Sequence, residues 1–180
     1  MPIHTIIGPM FSGKTTRIIS EYNNMRKHYC SEDILVINHA FDTRYSEITL
    51  CSHDNNSNIL CKMISDICII TPEMISKNGY KAILINEGQF FDGISVWLRN
   101  IISQNPDIHV YICGLDGDYN QKPFYDFLNI IPLSDTVTKL CGTCRCGNPA
   151  PFTKRNVNND KQILVGNDIY SCVCKNCLNH

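Results

Sequence analysis

The chain has 180 residues, of which 43% are hydrophobic and 18% charged, and its formal net charge is −1 with a pI near 6.6. This length and composition allow one domain with a small appendage and exclude a disordered chain or a repeat protein. The near-neutral charge lacks the basic excess with which proteins bind nucleic-acid backbones, so we expect no nucleic-acid partner.

The start of the chain predicts a cytoplasmic protein. Met1 leads directly into an apolar strand, without a basic segment and cleavage site, and no apolar stretch is long enough to span a bilayer. We therefore expect no membrane partner. Eleven cysteines in a reducing compartment argue against a disulfide framework, and six of them follow residue 140, which indicates a metal site there.

The first predicted elements are a strand, a glycine loop and a helix, in the stretch "TIIGPMFSGKTTRII" at 5–19. The loop fits the phosphate-binding pattern, in which backbone N–H groups surround an anion, the lysine reaches the terminal phosphates and the hydroxyl can bind Mg²⁺. The helix N-terminus adds its positive end. The pattern predicts a nucleotide site formed by Gly8, Pro9, Met10, Phe11, Ser12, Gly13, Lys14 and Thr15.

Strands and helices then alternate along the chain. Thr71 and Pro72 form a strong helix start, and Asn78-Gly79 ends that helix. Alternation of this kind predicts an α/β fold, a P-loop parallel sheet with helices on both faces and ligands at the carboxyl ends of the strands. The predicted elements are a helix at 14–29, a strand at 33–38, a long polar loop at 39–58, strands at 67–71 and 81–86, a helix at 94–104 and a strand at 108–115.

From about Thr138 the composition changes to cysteine, asparagine and glycine, with little helical periodicity. We predict two units, a nucleotide-binding α/β domain of residues 1–137 and a compact metal-held lobe of residues 138–180.

Asn86 and Glu87 end the strand in "AILINEGQFF". In P-loop proteins an acidic residue at such a strand end faces the phosphates and the Mg²⁺, and a carboxylate there can take a proton from an acceptor hydroxyl. Glu87 is therefore the candidate catalytic base, with an ordinary surface glutamate as the alternative. Asn86 and Gln89 are assigned to the ATP site, although Gln89, Phe90 and Phe91 could also be packing residues.

A series of short stretches resembles the thymidine kinase family of the cellular and poxvirus type, which is distinct from the herpesvirus type. The stretches are "GPMFSGKTT", "DTRYS", "SHD", "NEGQFF", "GLDGDY", "QKPF", "NIIPLSD", "KL" and "CVCKNC", in this order. The resemblance implies that the glycine loop binds ATP and that Glu87 accepts the proton of the deoxyribose 5′-hydroxyl. It also implies that Asp42 and Arg44 lie near the phosphates. The alternative is that these two residues form an ordinary solvated ion pair in the loop.

The resemblance also implies a base slot and a closing loop. Met10, Phe90, Tyr119 and Phe124 match positions that enclose the base. A loop over residues 155–166 is implied to close over the nucleoside and to read the base by main-chain hydrogen bonds. Its implied substrate contacts, with two residues that flank it, are Thr153, Lys161, Gln162, Ile163, Leu164, Val165 and Tyr170.

Many members of this family carry a structural zinc held by two cysteine pairs, and Cys174 and Cys177 fit one of them. The other pair stays open: the common C-x₂-C spacing favours Cys141 with Cys144, whereas register from the flanking motifs favours Cys144 with Cys146. The remaining cysteines are predicted to be small buried apolar residues: Cys30, Cys51, Cys61, Cys68, Cys113 and Cys172.

Two positions depart from the family pattern. Asn86 stands where the family usually has Asp, which predicts weaker Mg²⁺ binding and a higher rate in an Asn86→Asp variant if metal binding is limiting. Val165 precedes Gly166 where the family often has two glycines, so the closing loop could hold its base differently.

The leading hypothesis is a thymidine kinase that transfers the γ-phosphate of ATP to the 5′-hydroxyl of thymidine, with Lys14 and Arg44 stabilising charge. The resemblance further implies a homotetramer and feedback inhibition by dTTP. A nucleotide-binding sensor or inactive homologue is the alternative, motivated by Asn86. A nucleic-acid module on a P-loop ATPase is disfavoured by the charge.

Overall fold

The fold was analysed in a computed structural model that describes residues 2–42, 49–51, 58–164, 166 and 168–179. Arg44 and Val165 therefore lie outside the described residues. The strands, in chain order, are β1 Ile3–Gly8, β2 Ile34–His39, β3 Thr49–Cys51, β4 Asn58–Leu60, β5 Lys62–Ile64, β6 Ala82–Ile85, β7 His109–Leu115, β8 Thr136–Lys139, β9 Gly142–Thr143, β10 Pro149–Ala150, β11 Phe152–Arg155 and β12 Tyr170–Val173.

The central sheet confirms the predicted parallel α/β fold. Its order is β5-β2-β6-β7-β1-β8, and each neighbouring pair is parallel. The helices are α1 Lys14–Met25, α2 Pro72–Asn78, α3 Ile94–Gln104 and a short α4 Lys175–Leu178. All carboxyl ends of these parallel strands meet at one edge of the sheet, so the residues that follow β1, β2 and β6 gather there.

Alternating strand residues build a core on each face of the sheet. Ile6 and Leu84 pack with Ile18 of α1 on one face, while the next residues along the strands pack with α2 and α3 on the other. Adjacent strand side chains point to opposite faces, so strands that are buried on both sides read as continuous apolar runs. This is why the sequence predicted β2, β6 and β7 well.

Helix boundaries follow their capping residues. Thr71 caps α2 by accepting a hydrogen bond from the Met74 N–H at 3.2 Å, and Gly79 ends that helix in the left-handed conformation, as predicted. The helix predicted at 14–29 is shorter, because α1 ends at Met25 and a turn follows.

The strand predicted at 67–71 is wrong. The side chain of Asp66 accepts a hydrogen bond from the Cys68 N–H at 2.8 Å and starts a 3₁₀ turn over Ile67–Ile69. Ile67 and Ile70 are buried while Ile69 is half exposed, a three-residue spacing that suits a turn. The strand that lies beside β2 at one edge of the sheet is β5, which precedes this turn.

The C-terminal part consists of two small hairpins, β9 with β10 and β11 with β12, followed by α4. Strand β8 pairs with β1 through Lys139, so the sheet extends past residue 137 and we propose that the lobe begins after Lys139. The lobe is tied to the glycine loop, since the Met10 N–H donates to the Thr153 hydroxyl at 3.0 Å.

Among the residues that the structure describes, no helix is both long and apolar enough to cross a membrane.

Candidate functional site

The glycine loop turns from the end of β1 into the N-terminus of α1. Gly13 has φ +82°, a left-handed conformation that glycine adopts without strain, and it is the N-cap of α1. The Lys14 side chain is buried and donates to the Pro9 carbonyl at 2.6 Å, as does the Ser12 hydroxyl at 2.8 Å. The loop therefore holds the Lys14 ammonium group at its opening, where a bound phosphate group would contact it.

Glu87 follows β6 and is held by Gln89. The Gln89 amide oxygen accepts from the Leu115 N–H at 3.0 Å, so its nitrogen must point the other way, and it donates to Glu87 Oε2 at 2.6 Å. Glu87 itself has φ +55°, a costly conformation for a residue with a Cβ. The strained backbone and the fixed carboxylate together indicate a functional position.

Gly88 lets this turn pack closely on its neighbours. A Cβ at this position would lie 2.7 Å from the Phe127 ring and 2.8 Å from Ile112. Any larger residue would therefore push the Glu87 turn away from β7 and displace the carboxylate.

Asn86 lies in a buried polar row that ends at the glycine loop. Its Oδ1 accepts from the Thr15 hydroxyl at 3.4 Å and from the Cys113 thiol at 3.0 Å. Burial raises the pKa of Cys113 to about 12, so the thiol stays protonated and can donate. On its other side Asn86 donates to Asn38, which donates to Asp42.

His39 supports the aromatic side of the site. Its ring lies 4.7 Å from Phe91 and 4.9 Å from Phe41 between centroids, and its Nδ1 accepts from the Phe41 N–H at 3.1 Å. Burial lowers the pKa of His39, with smaller opposing contributions from a hydrogen bond to the Ser65 backbone and from the Glu87 charge. The imidazole is therefore a neutral packing group beside Phe90.

A cavity of about 490 Å³ joins the glycine loop to an aromatic slot. Phe90 and Phe124 meet edge to face in this slot, with ring centroids 6.2 Å apart. The size is that of a pocket for a small organic ligand. The predicted site residues that line the cavity are Met10, Phe11, Ser12, Gly13, Lys14, Thr15, Asp42, Glu87, Phe90, Tyr119, Phe124, Thr153, Gln162, Ile163, Leu164 and Tyr170.

Other predicted site residues do not line the cavity. Gln89 is fully buried beneath Glu87, and Asn86 is 1% exposed, so neither forms part of the cavity surface. Gln89 donates to Glu87 from this buried position, and its predicted ATP contact stays a prediction. Gly8 at the end of β1, Pro9 after it and Lys161 also do not line the cavity, and the Lys161 carbonyl accepts a hydrogen bond from Arg155.

Arg155 organises the loop of residues 155–164, here called the covering loop, of which Gln162, Ile163 and Leu164 line the cavity. Its guanidinium donates to the carbonyls of Asn159 and Gln162, each at 2.8 Å, and it stacks on Tyr119 at 3.7 Å from the ring centroid. It also donates to the Tyr170 hydroxyl at 2.8 Å. One planar cation with several fixed donors therefore holds together residues 155–162 and Tyr170.

The covering loop is also fastened to the body of the α/β domain. Gln162 Nε2 donates to Asp118 Oδ2 at 3.0 Å, and Asp118 is 5% exposed. The other carboxylate oxygen of Asp118 accepts from the backbone N–H groups of Asn120 and Lys122 at 2.8 and 2.9 Å. This carboxylate is thus a rigid anchor for the loop.

Sequence reasoning missed several residues of this site: Asn38, His39, Phe41, Asp118 and Arg155. Asn38 ends the strand predicted at 33–38, His39 and Phe41 precede Asp42 in the predicted polar loop, and Asp118 is part of "GLDGDY". Only Asp118 lies in a quoted motif, and the contacts of all four residues depend on which strands are neighbours in space. Arg155 begins the predicted closing loop and had no signal of its own.

Four cysteines meet in the lobe. The sulfur atoms of Cys144, Cys146, Cys174 and Cys177 all lie within 4.8 Å of one another. The β9–β10 hairpin brings the first two, with a turn closed by the Gly147 N–H to the Cys144 carbonyl at 2.8 Å. Cys141 is exposed and lies outside this cluster, so the structure favours the Cys144 and Cys146 pairing.

Two cysteines of the cluster, Cys144 and Cys174, favour the thiolate, which is the metal-binding form of cysteine. Backbone hydrogen bonds from Cys146 and Cys174 lower the pKa of Cys144 to about 6, and a backbone hydrogen bond at Cys177 lowers the pKa of Cys174. Hydrogen bonds to Cys174 and Cys144 hold the Cys177 proton and raise its pKa to about 12. Four sulfur donors at this separation are a donor set that suits Zn²⁺.

The remaining cysteines only partly follow their prediction. Cys113 is buried, but Cys30 and Cys68 are exposed, so the expectation of burial is wrong for these two. Cys30 precedes the turn Ser31–Asp33, and Cys68 lies in the turn that replaced the predicted strand.

The parallel sheet, the glycine loop and the carboxylate at the end of β6 define a nucleotide-binding P-loop protein with a small cysteine lobe. The model of the thymidine kinase family matches residues 1–178. The chain therefore belongs to the thymidine kinase family.

Named relatives cover nearly the whole chain. A thymidine kinase of Choristoneura fumiferana entomopoxvirus is 34% identical over 99% of this chain and 97% of its own length. A thymidine kinase of Monkeypox virus is 34% identical, covering 97% and 95%. The cytosolic thymidine kinase of Homo sapiens is 34% identical over 97% of this chain and 72% of its own.

Proposed function

We propose that this chain is a thymidine kinase that transfers the γ-phosphate of ATP to the 5′-hydroxyl of thymidine. The observation that carries the proposal is the single cavity that joins the glycine loop, Glu87 and the aromatic slot. A phosphate donor and a flat nucleoside base can lie at its two ends, with the sugar hydroxyl between them.

Each residue has a role that its position supports. Lys14 and the loop N–H groups bind the β- and γ-phosphates, and Glu87 takes the proton of the attacking hydroxyl. Asp42 lines the same cavity and is proposed to lie near the phosphates; Arg44, proposed as its companion, lies outside the described residues. The base stacks between Met10, Phe90, Tyr119 and Phe124, and the main chain of the covering loop contacts its edge.

Two metal ions are proposed. Thr15 would hold Mg²⁺ together with the nucleotide phosphates, and this cation neutralises charge that develops on the transferred group. Cys144, Cys146, Cys174 and Cys177 would hold a structural Zn²⁺, which fixes the lobe that carries Thr153 and Arg155.

The direct test is an assay of the purified chain with thymidine, ATP and Mg²⁺. We expect formation of thymidine monophosphate and ADP in equal amounts, with no turnover when ATP or Mg²⁺ is omitted. A chain that binds ATP but forms no product would instead support the sensor alternative. The family match and the intact Lys14, Thr15 and Glu87 do not favour that alternative.

Assembly, regulation and location remain proposals drawn from the family. A homotetramer is expected from the family. Inhibition by dTTP is expected as well, since a nucleoside triphosphate can fill the base slot and the glycine loop together. A relative that is named cytosolic supports a cytoplasmic location. Acidic and basic residues are nearly balanced in number, 17 and 16, which supports the absence of a nucleic-acid partner.

Arg155 should control nucleoside binding. Replacing Arg155 with Ala removes the donors that hold the carbonyls of Asn159 and Gln162, so the covering loop loses its fixed shape. We expect the thymidine KM to rise by about 10-fold or more while kcat falls by less than about 3-fold.

The control for Arg155 is the replacement of Lys154, whose ammonium donates to the Cys177 carbonyl and lies outside the cavity lining. Lys154→Ala should leave the thymidine KM within about 2-fold. An Arg155→Ala variant with an unchanged KM would mean that the loop keeps its shape without this guanidinium.

A further inference from the structure

A row of buried polar side chains runs from Asp42 to the glycine loop. Asn38 Nδ2 donates to Asp42 Oδ2 at 3.1 Å, and Asn86 Nδ2 donates to Asn38 Oδ1 at 3.0 Å. The Thr15 hydroxyl donates to Asn86 Oδ1 at 3.4 Å. Asp42 is 4% exposed and the two asparagines are 1% exposed each, so water does not substitute for these bonds.

The carboxylate at one end fixes the direction of the whole row. An ionised carboxylate only accepts hydrogen bonds, so Asn38 must turn its NH₂ group to Asp42 and its oxygen to Asn86. Asn86 must then present its NH₂ group to that oxygen. Its own oxygen is left to face Thr15 and the Cys113 thiol, which are both donors.

We propose that Asp42 sets the orientation of the Asn38 and Asn86 amides, and that these two asparagines are positioning residues for the Thr15 hydroxyl. The hydroxyl proton is directed inward to Asn86, which leaves the oxygen lone pairs of Thr15 facing the phosphate site. This last step rests on the proposed function, because it concerns the oxygen that would bind Mg²⁺. The orientation of the amides does not depend on that function.

The row explains why asparagine suits position 86 in this chain. A carboxylate at position 86 would face the Asn38 oxygen, and two buried carboxylates would compete for the NH₂ group of one amide. Two buried carboxylates of like charge this close together are strongly destabilising, even though the Thr15 hydroxyl and the Cys113 thiol can still donate to position 86. The proposal therefore reverses the sequence-based expectation that Asn86→Asp raises the rate: the variant should be less stable and less active.

The test is a double-mutant cycle on the thermal unfolding of the chain without nucleotide or added magnesium. Asn86→Asp should lower Tm by roughly 5 to 15 °C. Combined with Asp42→Asn, the same substitution should cost less than half as much. The Asn38 amide can then turn over, with its NH₂ group toward position 86 and its oxygen toward the new amide at position 42.

A surface substitution of the same type supplies the control. Asn100 is exposed on α3 and accepts from Gln104 Nε2, a bond that a carboxylate can also accept. Asn100→Asp should therefore change Tm by no more than about 2 °C. The cycle also removes any other contact of Asp42 from the comparison, because that contact is lost equally in the single and double variants.

Additive effects of the two substitutions, or an Asn86→Asp variant as stable as the parent, would overturn the proposal. If Asn86→Asp yields no folded protein, a folded double variant supports the proposal and an unfolded one overturns it. Unfolding of the ligand-free chain is independent of turnover, so a chain without kinase activity would still give a decisive cycle. In the active enzyme, Asn38→Ala should additionally raise the Mg²⁺ concentration needed for half-maximal rate by several-fold.

Discussion

Replacing Glu87 with Gln is expected to lower kcat for thymidine phosphorylation by about 10²- to 10⁴-fold, the usual contribution of a positioned general base. The amide of the new side chain can still accept the hydrogen bond from Gln89, so the turn after β6 should keep its shape. Because the substitution removes only proton acceptance, the KM values for thymidine and ATP should change by less than about 3-fold.

The control for this effect is the same substitution at a glutamate outside the cavity. Glu73 lies in the first turn of α2 and outside the cavity lining, so Glu73→Gln should leave kcat unchanged. An unchanged turnover number in Glu87→Gln would remove the assignment of this residue as the base. A fall in kcat that came with a large loss of thermal stability would point instead to a structural role.

Loss of the metal from the lobe should have the second large effect. Replacing Cys174 with Ser is expected to abolish the zinc content, from about one ion per chain to near zero, since four ligands close a structural site. The lobe carries Thr153 and Arg155, so the thymidine KM should rise by at least about 10-fold or activity should disappear. Zinc can be measured by mass spectrometry of the purified chain.

Cys141 provides the matched control for that experiment. It is an exposed cysteine of the same region that lies outside the four-sulfur cluster, and Cys141→Ser should retain zinc and activity. Serine variants of Cys141 and Cys146 also distinguish the two candidate spacings of the first zinc-binding cysteine pair. Zinc loss in Cys141→Ser with zinc retention in Cys146→Ser would show that the C-x₂-C pair holds the metal.

The sequence alone predicted the features that depend on residues close together in the chain. Strands buried on both faces, such as β6, appear as apolar runs, and the caps of α2 depend on residues close in sequence. The glycine loop is equally local, since its conformation and its anion site come from one continuous segment. The strand predicted at 67–71 is wrong because a local hydrogen bond from the Cys68 N–H to the Asp66 side chain outweighs the apolar composition.

Only the tertiary structure decided which side chains act together. Strand order places Asn38 of β2 beside Asn86 after β6, although 48 residues separate them in the chain. It also places Gln89 against Glu87, and it leaves Cys141 outside the four-sulfur cluster. Hydrogen-bond direction and metal-ligand geometry depend on distances across the fold, and a linear pattern of residues does not encode them.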